Sequence, residues 1–156
     1  MNKKVRKILY IVTFFFLVNI GFSVYLAYEF YYPDESSVCS INAIFDCISV
    51  AKSGYAVLFG IPIAILGVLF YVGLFALTVA LLAGFPFNKI HKKFTKSLVY
   101  MALRFLVYFG VLFSLALTYI EAFVIHVYCP FCVAQQIIII IVAGLLISAK
   151  KAMQRG

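Results

Sequence analysis

The sequence predicts an all-α integral membrane protein, a bundle of four transmembrane helices with a short interfacial helix in the first outer loop. Three observations lead there. The chain is 66% hydrophobic and only 12% charged, unlike an ordinary soluble domain. It carries four apolar runs, each long enough to cross a ~30 Å hydrocarbon layer, which takes roughly 20 helical residues. Its basic residues cluster at alternate ends of those runs. Backbone polar groups in lipid must be satisfied within their own segment, so the runs are helices. Short connections leave one membrane domain, residues 1–156.

The first span, residues 8–30, follows the basic stretch MNKKVRK. Its apolar run exceeds the ~7–15 residues of a signal-peptide core, and it reads as a retained span. Asn19 inside it is expected to make an interhelical hydrogen bond. An outer redox loop, residues 31–60, carries Cys39 and Cys47. Gly60 and Pro62 break the chain before the second span, residues 61–82, so residues 48–59 need not continue that helix. The third span, residues 98–125, is longer than a crossing needs and is expected to tilt or protrude. Arg104 lies about two turns into it and is expected to snorkel back to the basic loop. Glu121 and His126 fall near its outer end, where His126 reads as a solvated loop-edge residue. The fourth span, residues 130–148, starts at Pro130.

The net charge of +8 could suggest nucleic acid, but its distribution excludes that partner. Lys3, Lys4, Arg6 and Lys7 precede span one. Lys89, Lys92, Lys93 and Lys96 separate spans two and three, and Lys150, Lys151 and Arg155 follow span four. These positions share one side of the bilayer. All the acids lie towards the other. Cationic loops stay in the cytoplasm. The expected location is therefore the cytoplasmic (inner) membrane, multi-pass, with both termini cytoplasmic and the cysteines on the outer, periplasmic side. Lys52, in the outer loop, is an exception.

All four cysteines, Cys39, Cys47, Cys129 and Cys132, then face one compartment where disulfides persist. They allow three pairings, and sequence alone does not choose. Structural disulfides on a non-catalytic membrane scaffold are one reading. A four-thiolate zinc site is a weaker one, because CSINAIFDC has seven residues between its cysteines where zinc knuckles have two to four; no metal is expected. The second pair, CPFC, points instead to redox chemistry. Pro130 suits the first helical position, which puts Cys129 at the N-cap and Cys132 about three residues in. Free N–H groups and the helix dipole stabilise a thiolate there, and a thiolate both attacks and leaves in disulfide exchange.

Electrons moving through two thiol pairs need a terminal carrier. With no haem or flavin motif in the chain, a quinone (ubiquinone or menaquinone) is the natural lipid-soluble co-substrate. A four-helix bundle offers a pocket for a flat ring near Cys132. Gln135 and Gln136, three and four residues on, share its helix face. A competing reading gives these amides to helix–helix hydrogen bonds.

At this point the residues resemble a known family. CSINAIFDC, then Ser53 six places after Cys47, then FGIPIAILGVLFY, then CPFC on the last helix are similar to the vitamin K epoxide reductase family, and above all to its bacterial and archaeal branch. The likeness covers residues 8–148. In the disulfide-bond-forming protein B family, also four-helix and quinone-linked, C-x-x-C comes first and the wide pair later. The order here is the reverse. The resemblance implies that Cys39 exchanges with a thioredoxin-like partner, that Cys47 relays electrons to Cys129, and that Cys132 meets the quinone. It implies that Ser53 is the hydroxyl residue of the quinone site, under a short helix in ISVAKSGY. Phe59, which opens the second resembling stretch, joins Ser53, Gln135 and Gln136 as a cofactor-binding candidate. The competing reading of Ser53 is an N-cap or turn residue. Two positions depart from the vertebrate enzymes: Gln136 stands in place of a tyrosine, and Ile63 in place of an asparagine. The resemblance therefore implies quinone reduction coupled to disulfide formation, and the two departures speak against epoxide reduction without deciding it. The chain ends six residues after Lys150, so the expected partner is a separate secreted protein.

Overall fold

A computed structural model of the chain describes residues 3–33, 39, 42, 44–84 and 96–154. The elements are α1 (Lys3–Tyr31), α2 (Cys47–Lys52), a 3-10 turn (Gly54–Ala56), β1 (Val57–Leu58), β2 (Ile61–Pro62), α3 (Ile63–Leu82), α4 (Lys96–Ile120) with a π-helical extension (Glu121–Ile125), and α5 (Pro130–Gln154). Among the described residues, four helices are long and apolar enough to cross a membrane: Lys3–Tyr31, Ile63–Leu82, Ser97–Ile125 and Pro130–Lys151. The protein is a four-helix membrane bundle. Lys89, Lys92 and Lys93, expected in a cytoplasmic loop, lie outside the described residues.

The helices overrun the apolar runs at the basic ends. The first begins at Lys3, not at residue 8, and the last continues to Gln154. Lysine and arginine are good helix formers, so leaving the hydrocarbon does not end the helix. The second begins at Ile63 because Ile61–Pro62 pairs with Val57–Leu58 in a two-residue hairpin. Phe59 and Gly60 turn it, with φ of 53° and 81°. Positive φ at both central residues is the type I′ condition that matches strand twist. Glycine takes it freely, whereas Phe59 does so with its ring 96% exposed.

The core follows helical spacing. Val5, Leu9, Val12 and Phe16 on α1 meet Leu74 and Leu81 on α3, Leu103 and Val107 on α4, and Ile139, Val142 and Leu146 on α5. Helix α1 packs on α3 and α5, and α4 packs on α5 and α3. Gly110 permits a close approach: a Cβ there would stand 2.6 Å from Ile139 Cδ1 and 2.9 Å from the Phe70 ring. Polar cross-links add to the packing, as expected where lipid weakens apolar attraction between helices. The Tyr100 hydroxyl donates to the Leu146 carbonyl (2.7 Å), and Thr118 donates to Gln136 Oε1 (2.5 Å).

Two polar residues differ from expectation. Arg104 does not turn back to the basic loop. Its guanidinium donates to Tyr108 Oη at 3.3 Å and lies 5.6 Å from that ring's centroid, one turn deeper. An aromatic face and a hydroxyl at i+4 offer the cation a partner within the helix. The Asn19 side chain is fully buried and has no hydrogen-bond partner among the described residues. The interhelical bond at Asn19 runs through its backbone carbonyl, which accepts from Gln135.

Candidate active site

The loop pair is placed by short-range chemistry. Asn42 Oδ1 accepts from the backbone N–H groups of Ile44 and Phe45, both at 2.9 Å, an Asx turn of the kind asparagine favours. Asp46 caps α2, accepting from the Ile48 N–H at 2.9 Å and from the Ser49 hydroxyl. Cys47 is thus the first residue of a capped helix. It is disulfide-bonded to Cys39, with the Cα atoms 5.5 Å apart.

A parallel bridge between Phe45 and Tyr128 fastens this loop to the fourth span. The Tyr128 N–H donates to the Ile44 carbonyl (2.8 Å), and the Asp46 N–H donates to the Tyr128 carbonyl (3.1 Å). The next residue on each side is a cysteine, and the Cys47 and Cys129 sulfurs lie 3.2 Å apart. The sulfurs of Cys39, Cys47 and Cys129 all fall within 4.8 Å of one another. All three residues are buried, under Tyr25, Leu26, Val50 and Phe131.

Helix α5 starts as Pro130 dictates. Cys129 and Cys132 are free thiols. Cys129 occupies the capping position, its carbonyl accepting from Val133 (3.1 Å) and its sulfur accepting from the Cys132 N–H (3.3 Å).

Behind the sulfurs opens an apolar cavity of about 350 Å³, within the size range of small-molecule sites. Cys47, Cys129, Cys132, Ser53, Gln135 and Glu121 all line it, together with Tyr71 and Ile63. The structure therefore brings five of the eight predicted site residues to one wall. Cys39 sits behind Cys47, fully buried. Ser53 also closes α2, its hydroxyl donating to the Val50 carbonyl (2.6 Å). Gln135 also bonds to α1, donating to Ser23 Oγ (2.9 Å) and to the Asn19 carbonyl (3.2 Å). Gln136 is turned to α4 by Thr118 and does not line the cavity. Phe59 is at the hairpin tip, also away from it.

Sequence reasoning gave Glu121 no role. It is 4% exposed, lines the cavity and accepts from the Cys129 N–H at 3.2 Å. Its signal was available: an acid inside a membrane span is a functional candidate by default. The π-helical turn that begins at Glu121 is a feature common at functional sites.

Comparison with family models matches residues 10–147 to the vitamin K epoxide reductase family. No curated protein matches the chain.

Proposed function

The chain belongs to the vitamin K epoxide reductase family, and from that premise we propose that this multi-pass membrane oxidoreductase is a quinone-linked generator of protein disulfides. A secreted thioredoxin-like protein in its dithiol form attacks the Cys39–Cys47 disulfide and leaves oxidised. The freed Cys47 thiolate attacks Cys129 in a Cys129–Cys132 disulfide, and Cys132 is released as the thiol nearest the quinone site. The outer disulfide re-forms as Cys39 displaces Cys129, which leaves Cys129 and Cys132 reduced. Substrate thiols are oxidised on the outer side, and both termini are cytoplasmic.

One observation carries this reading, the 3.2 Å contact between Cys47 and Cys129. It joins a closed outer disulfide to a reduced C-x-x-C on the wall of an apolar cavity, the arrangement of a relay between exchanges. Ser53, Gln135, Tyr71 and Glu121 present a few polar groups to a mostly apolar enclosure, which fits a flat, mostly apolar ring with oxygens at its edge. When bound there, a quinone supplies a two-electron sink. The cysteines deliver those electrons, and Tyr25 and Phe131 pack over the buried Cys39, Cys47 and Cys129.

The test is quinone reduction by purified protein, followed optically, with dithiothreitol as a small reductant and with a reduced thioredoxin-like protein. Turnover with both is expected. No quinone reduction with either reductant would remove the reading.

A further inference from the structure

The geometry points to Glu121 as the group that carries protons between the Cys129–Cys132 dithiol and the quinone, an inference that rests on the proposed quinone chemistry. Oxidising a dithiol releases two electrons and two protons, and forming a quinol consumes two of each. Electrons need only proximity. Protons need a carrier within hydrogen-bond reach, and the cavity is apolar.

Glu121 is in place for that task. Its carboxylate accepts from the Cys129 N–H at 3.2 Å and lies within electrostatic reach of the Cys132 thiol. It is almost fully buried against protein yet faces the cavity. Glu121 is the one carboxylate among the residues that line the cavity: Ser53 donates to Val50, Gln135 donates to Ser23 and Asn19, and the phenols of Tyr55 and Tyr71 are far weaker proton acceptors than a carboxylate. An amide is in any case a poor proton acceptor. Burying a carboxylate in a span is costly, and one backbone N–H bond offsets only part of that cost.

The step balances as follows. The Cys132 S–H bond breaks and its proton passes to the Glu121 carboxylate. The S–S bond to Cys129 forms as the Cys129 S–H bond breaks and the electron pair goes to the quinone. Glu121 hands the first proton to a quinone oxygen, takes up the proton leaving Cys129 and passes it to the other oxygen. The products are one disulfide and one quinol, and Glu121 ends as a carboxylate.

Glu121→Gln separates this role from a structural one, because the amide oxygen can still accept from the Cys129 N–H. Pre-reduced wild type and variant are mixed with ubiquinone-1 or menadione in a single turnover. The variant is expected to be at least ~100-fold slower, the lower end of what acid–base catalysis supplies, with Glu121→Asp recovering part of the rate. Thiol trapping without quinone should show exchange between Cys39–Cys47 and Cys129–Cys132 still taking place in Glu121→Gln, so that the larger loss falls on the quinone step. Infrared difference spectra of quinone-free protein, dithiol minus disulfide, should carry a carboxyl band in wild type that is missing in Glu121→Gln. A variant as fast as wild type would overturn the inference while leaving the quinone reading intact. Failure of wild type itself to reduce quinone would overturn both. If no variant folds, a wild-type spectrum with no carboxyl change is sufficient to reject it.

Discussion

The sulfurs of Cys47 and Cys129 meet at 3.2 Å across 82 residues of sequence. Neither position is fixed by the other cysteine. Cys47 is set by the Asp46 cap and Cys129 by the start of α5, and the Phe45–Tyr128 bridge brings the two settings together. The contact precedes any bond between these sulfurs, since Cys47 is bonded to Cys39.

The first prediction concerns Cys132. Cys132→Ala should abolish quinone reduction and accumulate a Cys47–Cys129 disulfide, because no thiol remains to resolve that bond at the C-x-x-C end. Cys132 is two residues inside the helix from Pro130, roughly one turn deeper than Cys129, so the loop cysteine meets Cys129 and Cys132 lies further along the cavity that both line. Non-reducing digestion and mass spectrometry would show the linked peptides. A trapped bond to Cys39 would reverse the roles given to the loop cysteines.

Cys39→Ala should divide the two reductants. A small dithiol reaching Cys129 and Cys132 directly should keep a measurable fraction of quinone reduction, and the thioredoxin-like protein should keep almost none. Steady-state rates with each reductant decide it. Equal loss with both would mean that the loop pair does more than receive a partner.

The orientation is open to chemical labelling. Single-cysteine variants retaining Cys39 or Cys47 should react with a membrane-impermeant maleimide in reduced, intact spheroplasts. Reaction only after permeabilisation would place the sulfurs on the cytoplasmic side and end the mechanism.

Gly110→Ala should destabilise the bundle by about 1–3 kcal/mol, the usual cost of overpacking, since the new methyl would crowd Ile139 and Phe70. Thermal unfolding in detergent should show a lower midpoint. An unchanged midpoint would mean that the Ile139 and Phe70 side chains give way at no cost.

What the sequence disclosed and what it withheld divide by range. Pro130 after Cys129 specifies a helix start by local backbone chemistry, and the sulfur-capped turn was legible from four letters. The spans were legible because lipid forces a helix on any long apolar run. The pairing of residues 44–46 with Tyr128 was not, because two short backbone contacts across the chain leave no composition behind. Gln135 and Gln136 show the limit well. Sequence put both on the Cys132 side of α5, yet the roughly 100° step between adjacent helical positions sends the first to the cavity and the second to Thr118. Arg104 was misplaced because its partner, Tyr108, is aromatic and apolar in outline, so the pattern gave no sign of a cation acceptor.

The bonds from residues 44–46 to Tyr128 give the loop disulfide two unequal ends. Breaking Cys39–Cys47 opens a small ring, but Cys47 stays anchored on both sides, by Asp46 to Tyr128 before it and by the capped helix after it. A reducing blow to this bond therefore acts as on a latch whose keeper is screwed to the frame: once the bond opens, Cys47 remains facing inward, towards Cys129.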